Sequence, residues 1–293
     1  MSNPSFTNTD AHPGMGKTQE FQHQVAGHPG VLVVEGNEMI IKPSNTREQQ
    51  FYEGANQCID FKSFMPEYYG TLQRTAGDES SDIKDFICLE NLVHGFEKPC
   101  VIDIKIGSRL HDIDAPQEKL ERAERQAQRT TSGKLGIAIT GMKQYGQPAV
   151  DREWCRDLTE ETIVDAIAQY FSTAAEQVSA EYRDYLVWQF ITEVGELLDV
   201  MQHAECRMYS SSLLFVYDAS KSKYEQVFPS DGQGRKTRGF ADRDSDEHED
   251  DSLLDMKAID FAHSHWMPGQ GRDELYIAGL QKLIEVFQSL IED

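Results

Sequence analysis

Short β-branched runs open the chain, and long stretches at helical spacing close it. GVLVVEG and EMIIKP, starting at Gly30, are two apolar runs joined around Gly36-Asn37, the chemistry of a β-hairpin. Residues 46–54, TREQQFYEG, predict a helix with Thr46 at the capping position. DFICLENL (85–92) and CVIDIKIG (100–107) predict buried strands, residues 116–129 a helix, and KLGIAITGMKQYG a strand pair or a strand with a turn. LTEETIVDAIAQYFS (158–172) carries apolar residues at helical spacing with Thr159 able to cap it, and residues 177–202 predict another long helix. SSLLFVYD (211–218) returns to strand. In the last segment Leu275, Ala278, Leu283, Val286 and Leu290 recur at helix spacing, a packing face. Strands first and helices later, with polar motifs between, predict an α+β protein of two lobes around a cleft: a β-rich lobe at 21–92 and a larger α/β lobe at 93–293.

Two segments fall outside this pattern. Residues 1–20 are polar, with Pro, Gly and Asn, and read as a loose arm; residues 230–252 have almost no apolar content and read as a disordered acidic insertion. Its second half, 242–251, holds seven acids against one Arg, a charge run suited to a basic protein partner. GKT at 16–18 is not a phosphate-binding P-loop, because position 11 is Ala and no strand precedes it.

With 293 residues and 39% hydrophobic content the chain can build one large domain or two modest lobes. A formal charge of −22 argues against direct nucleic-acid binding, which leaves a basic footprint. It permits an anionic ligand only where basic residues gather locally. No apolar run approaches the ~18–20 residues of a transmembrane segment, and the N-terminus does not have the layout of a secretory signal. Five dispersed cysteines, with no CxxC pair, fit reduced thiols in the cytoplasm or nucleus.

Four constellations can carry chemistry. Lys42 ends a strand and Glu48 follows on a helix; such a lysine can neutralise nucleotide phosphates while the glutamate holds it. Asp103 and Lys105 lie two apart on a strand, so both leave the same face, and a charged pair inside an apolar strand is costly unless paired or working. On the predicted helix after Gly107, Lys119, Arg122, Gln126 and Arg129 fall near one stripe beside Leu120, Ala123 and Ala127, a basic cluster in an acidic chain. Asp260, between apolar neighbours and followed by Phe261, has the layout of a Mg²⁺ ligand. Each has a plainer alternative: a solvated lysine, a strand-end ion pair, a solvated helix face with a Glu118–Arg122 pair, and a capping aspartate.

Taken together and in order, these motifs change the picture. PxxxDxKxG at 99–107, SLL at 212–214 and IDF at 259–261 resemble the signature of the inositol polyphosphate kinase family. The resemblance runs from about Phe21 to the end: QVAGH (24–28) is similar to the family's glycine-containing phosphate loop, REQQFYEG to its first helix, and Leu89-Glu90-Asn91-Leu92 to its adenine hinge. Only about two dozen residues separate Gly107 from TTSGKLG, so the inositol-phosphate-binding segment, 108–133, is short and implies an open site. TTSGKLG, GMK and the AHS after IDF look most like fungal-type multikinases, with hexakisphosphate kinases, which make pyrophosphates, as the alternative.

The resemblance implies the following roles. Lys42 contacts ATP phosphates with Glu48 as its partner, the backbone near Glu90 and Leu92 holds adenine, and Asp103 binds the ribose. Lys105 binds the inositol phosphate at the reacting end, Asp260 holds Mg²⁺ and helps deprotonate the attacking hydroxyl, and Ser212 lies near the metal. Lys119, Arg122, Gln126 and His263 face the substrate. Arg122 and Gln126 stand where animal multikinases have Gln and Lys. The implied substrates are inositol tris- and tetrakisphosphate, with phosphoinositide lipid left open. A reading of another class is a nuclear transcription-complex scaffold acting through 242–251. A protein kinase is disfavoured, since no HRD-type loop occurs.

Overall fold

The computed structural model describes residues 17–26, 30–36, 38–74, 84–228 and 253–291. In chain order the first part comprises β1 (Thr18–Glu20), β2 (Leu32–Val34), β3 (Met39–Pro43), α1 (Thr46–Glu53), a 3₁₀ turn (Gly54–Gln57), α2 (Ile59–Lys62), β4 (Tyr68–Arg74) and β5 (Lys84–Glu90). Its strands form one antiparallel sheet in the order β1-β2-β3-β5-β4. The expected hairpin is β2–β3, with Leu32 opposite Ile41; its turn residue Asn37 lies outside the described residues. The cap of α1 is Asn45, not Thr46: the Asn45 side chain accepts from the Glu48 N–H at 2.9 Å. Residues 18–20, expected in a loose arm, form β1 because Thr18 to Glu20 pair with Val34 to Leu32. The rest of that arm, 1–16, lies outside the described residues.

The second part comprises β6 (Pro99–Ile106), α3 (Gln117–Arg129), α4 (Ser132–Leu135), β7 (Ile137–Lys143), α5 (Arg152–Asp157), α6 (Ile163–Gln177), α7 (Ala180–Met201), β8 (Cys206–Met208), β9 (Ser212–Asp218), α8 (Lys221–Val227), β10 (Leu254–Ile259), β11 (Ser264–Trp266) and α9 (Glu274–Ser289). Strands β10-β9-β6-β7 make an antiparallel sheet, and β11 pairs with β8. KLGIAITGMK is therefore a short helix followed by one strand, with Gly136 at φ 68° closing the helix in the left-handed conformation. Helix α6 starts later than expected, at Ile163, because residues 159–162 form a turn in which the Thr159 amide donates to Thr162 Oγ1 at 2.9 Å. The acidic segment 230–252 lies outside the described residues.

Period-two patterning gives the second sheet two unlike faces. Ile102, Ile104 and Ile106 of β6, with Leu213, Phe215 and Tyr217 of β9, join the main core with residues of α6, α7 and α9. Val101 and Val216 point the other way and pack with Val93, Phe21, Val25, Phe96 and Leu214. Asp103, Lys105 and Ser212 share this second face by the same alternation. A bulge between β6 and β7 leaves Thr140 as the extra residue, since Asp103 opposes Gly141 while Ile104 opposes Ile139.

The two parts are joined by more than the strand-to-strand connection. Helix α1 packs on the segment after Asp260: Phe51 stacks on Trp266 with centroids 4.7 Å apart and contacts Phe261 at 4.6 Å. Trp266 Nε1 donates to the Phe51 carbonyl at 2.9 Å, and the Ala258 amide to that of Phe64 at 2.7 Å.

Candidate active site

The sharpest convergence is on Lys42. Its ammonium donates to Glu48 Oε1 at 2.8 Å and also to Asp260, which arrives from the end of β10. The lysine sits on β3 beside β5, and Glu48, in the first turn of α1, is only 2% exposed. Ser44 Oγ donates to the other Glu48 oxygen at 3.0 Å, which fixes the carboxylate. Burial alone would lower the Lys42 pKa; Asp260 and Glu48 outweigh it and hold the ammonium above the ordinary lysine value. Asp260 adopts φ 64°, the left-handed region that non-glycine residues seldom occupy but Asp tolerates. Phe261, fully buried among Phe51, Tyr52 and Phe61, anchors that turn, so the IDF motif is one apolar pin and one presented carboxylate.

On β6, Asp103 is 3% exposed and receives the Thr140 hydroxyl released by the bulge. Burial first, and the charge of Asp260 second, push its pKa up to about 6, against which the Thr140 and Ser212 hydroxyls and Lys105 work. Burial lowers the pKa of Lys105, with the Asp103 and Asp260 charges opposing; its ammonium donates to the carbonyl and hydroxyl of Ser210, each at 2.8 Å. Ser212, expected beside the metal, is 1% exposed and bonds Asp103, so here it orients that carboxylate.

Glu90 and Leu92, expected at an adenine hinge, flank the buried Asn91 at the end of β5. The Glu90 carboxylate accepts from the Glu67 amide at 3.1 Å, so its side chain is committed to the β4 side. Lys119, Arg122 and Gln126 lie exposed on α3, whose inner face is Ala127 with Leu120 and Ala123 half-buried. The Glu118–Arg122 pair is not formed; Arg125 faces Glu121 at 3.8 Å, and Lys119 and Arg122 make no ion pair with any described residue. Among the described residues these cations are thus uncommitted, and no contact there joins them to the Lys42 cluster.

His263 lies three residues beyond Asp260, and its Nδ1 is 3.3 Å from Asp112 Oδ2. Asp112 and its partners Arg47 and His265 escaped the sequence reading. Nothing in HDIDAP marks one of its acids as 5% exposed, because the partners come from residues about 65 and 150 positions away. Thr140 and Ser210 were missed for the same reason: their roles depend on a bulge and a turn.

A strand lysine paired to a helical glutamate, with an aspartate presented across the cleft, is the layout of a phosphoryl-transfer site of kinase type. The carboxylates suit a divalent cation brought in with nucleotide. Asp260 is half-buried at the cleft, its charge raises the Asp103 pKa, and a cation would relieve that repulsion. Among the described residues no group of three potential metal ligands occurs, which fits an ion that takes most of its oxygens from phosphate and water.

The family model for inositol polyphosphate kinase matches residues 86–288, and the chain belongs to that family. Inositol polyphosphate multikinase of Saccharomyces cerevisiae is 30% identical, over 91% of this chain and 96% of the yeast protein. That of Schizosaccharomyces pombe is 30% identical, over 94% and 99%. Human inositol hexakisphosphate kinase 2 is 32% identical, but over 71% of this chain and 52% of the human protein. The crystal structure of the S. cerevisiae inositol phosphate multikinase Ipk2, in complex with ADP and Mn²⁺, superposes with a TM-score of 0.72 at 33% identity, covering 87% of this chain and 99% of that one. No helix among the described residues is long and apolar enough to cross a membrane.

Proposed function

We propose that this chain is an ATP-dependent inositol polyphosphate multikinase that phosphorylates inositol tris- and tetrakisphosphate towards the pentakisphosphate. One observation carries the reading: Lys42, Glu48 and Asp260 meet in one cluster, with Asp103 and Lys105 on the adjoining strand face. The multikinase subtype draws support from the two fungal relatives, which match over nearly their whole length, and from a short segment between Gly107 and β7 that holds only the 13-residue α3 and the one-turn α4.

In this reading Lys42 leaves Asp260 for the nucleotide phosphates, while Glu48 keeps it near the cleft. Asp103 meets the ribose hydroxyls. Asp260 would hold Mg²⁺, which when bound supplies charge neutralisation at the transferring phosphoryl group. Lys105, poised on Ser210, meets the inositol phosphate at the reacting end, and Asp260 takes the proton of the attacking hydroxyl. Lys119 and Arg122 supply the polyanion with uncommitted cations. Catalysis then rests on positioning and preorganised charge.

Incubation with ATP, Mg²⁺ and a panel of inositol phosphates, with products separated by charge, tests this. The expected result is at least two accepted substrates, the 1,4,5-trisphosphate among them, and products with more than one added phosphate. A single phosphorylation of a single substrate contradicts it, and pyrophosphate formation from the hexakisphosphate favours the other branch of the family. The acidic run 242–251 supports a second role, binding a basic protein partner in the nucleus or cytoplasm. Deleting 234–250 should leave turnover within a few-fold and abolish a partner interaction that weakens with salt.

A further inference from the structure

Asp112 is a carboxylate with four side-chain or backbone partners. It lies in the loop between β6 and α3 and is 5% exposed. Its Oδ1 accepts from its neighbour's amide, Ile113 N, at 2.7 Å, and faces His265 Nε2 at 2.7 Å. Its Oδ2 takes a guanidinium N–H of Arg47 and faces His263 Nδ1 at 3.3 Å. Its carbonyl is held too, by Arg109 Nη2 at 3.3 Å and by His111 Nδ1 at 2.9 Å. Arg109 in turn lies over the Tyr209 ring, 4.3 Å from its centroid. Three stretches of chain therefore converge on one side chain: α1 through Arg47, the β6–α3 loop, and the segment after Asp260 through His263 and His265.

The burial of Asp112 works to raise its pKa, but the hydrogen bonds from His265, Ile113 and His263 hold it below the usual carboxylate range. An ionised carboxylate is acceptor-only, so the ring nitrogens that face it must carry protons. That assigns the proton of His263 to Nδ1. With Nδ1 committed and the side chain 48% exposed, Nε2 is the atom left for a ligand. A carboxylate behind an imidazole fixes tautomer and ring orientation in the same way at metal sites.

We propose that Asp112 is a positioning residue that presents His263 to a phosphate of the inositol substrate. This deepens the function proposed above and rests on its placement of His263 at the substrate. Asp112 itself touches no substrate; it acts by setting which nitrogen of His263 points outward and by holding the loop ahead of α3 against the segment that carries Asp260. Arg47, bound to Asp112 and 3.1 Å from Asp114, serves the same frame and is not a free phosphate ligand.

A double-mutant cycle on the full chain tests this, with inositol 1,4,5-trisphosphate and ATP varied separately. Asp112→Asn should raise the KM for the inositol phosphate about tenfold and leave the KM for ATP within twofold. His263→Ala should do the same, and the double variant should be no worse than His263→Ala alone, since both remove one interaction. Multiplying losses, or equal rises in both KM values, overturn the proposal. If His263→Ala leaves the inositol phosphate KM unchanged, the substrate placement of His263 fails and the proposal with it. If His263→Ala raises it and Asp112→Asn does not, the proposal alone fails. Imidazole ¹⁵N NMR on the unaltered protein is independent of how the variants fold. His263 should carry its proton on Nδ1, and only its Nε2 should shift strongly on adding the trisphosphate; an Nε2–H tautomer in the free protein overturns the proposal.

Discussion

Arg47 and Glu48 are neighbours on α1, yet they feed two ionic clusters of opposite character. A helix turns about 100° per residue, so Arg47 goes to Asp112 and the next side chain, Glu48, to Lys42. In the first, Asp260 and Glu48 keep Lys42 charged, but the pair on the adjoining strand is held against its preferences: Asp103 is pushed up to about 6 and Lys105 down, both mainly by burial. In the second, the buried acid is over-supplied with donors and is held low. The first has the electrostatics of a site awaiting a charged ligand, the second those of a finished frame. The same helix turn thus ties the Lys42 cluster to the Asp112 cluster.

The largest expected effect comes from breaking the first cluster at its centre. Asp260→Asn and Lys105→Ala should each lower kcat by ~100-fold or more, through lost charge stabilisation at the transferring group. Asn tolerates the left-handed backbone, and the repulsion removed from Asp103 offsets the lost ion pair to Lys42, so Asp260→Asn should change the thermal midpoint little. Near-normal turnover in either variant would remove that residue from the chemistry.

Glu48→Gln should be milder, because the amide oxygen can still accept from Lys42 and only the charge is lost. A loss of about tenfold in kcat/KM for ATP is expected, on the order of 1.4 kcal/mol of transition-state stabilisation. A change under twofold would make Glu48 a packing residue.

Asp103 sharpens the contrast through pH. Its folded-state pKa of about 6 stands above its ordinary 3.8, so the folded protein holds this proton more tightly than the unfolded chain. The associated stability is present below about pH 4 and is lost as pH rises through about 6. Asp103→Asn should therefore raise the thermal midpoint of the ligand-free protein by several degrees at pH 8 and much less at pH 4.5, while weakening nucleotide binding. Melting curves at the two pH values read this directly; an equal shift at both would deny the raised pKa.

The smallest effect belongs to the frame. Arg47→Ala leaves Asp112 its two histidines and the Ile113 amide, so a loss of about 1–2 kcal/mol of stability is expected, read by denaturant titration. The KM for inositol phosphate should rise a few-fold with the KM for ATP unchanged. A matching rise in both would merge the two clusters into one functional unit.

Much of the first cluster was legible along the chain. Lys42 and Glu48 are six positions apart, and Asp103 and Lys105 two, so strand and helix periodicity place them without knowledge of distant contacts. The apolar stripe of α3 was legible likewise, and Ala127 is buried where the spacing put it. Caps and ends were less so: Asn45 took the capping position assigned to Thr46, and α6 began only at Ile163, after a turn in which Thr159 Oγ1 accepts from the Glu161 amide and Thr162 caps nothing with its side chain.

Residue order by itself determined the alternation that gives β6 an oily face and a charged one, and the apolar–acid–aromatic setting of Asp260, since both arise from contacts or periodicities a few residues long. Only the tertiary structure decided that Asp260 would meet Lys42 across 218 positions. It also decided that a bulge would turn Thr140 onto Asp103, and that one of the two acids in HDIDAP would be buried under Arg47, His263 and His265 while Asp114 stayed 70% exposed. The physical reason is that a carboxylate's environment in a low-dielectric cleft is set by which donors lie within about 3–4 Å, and that proximity is created by packing, not by spacing along the chain.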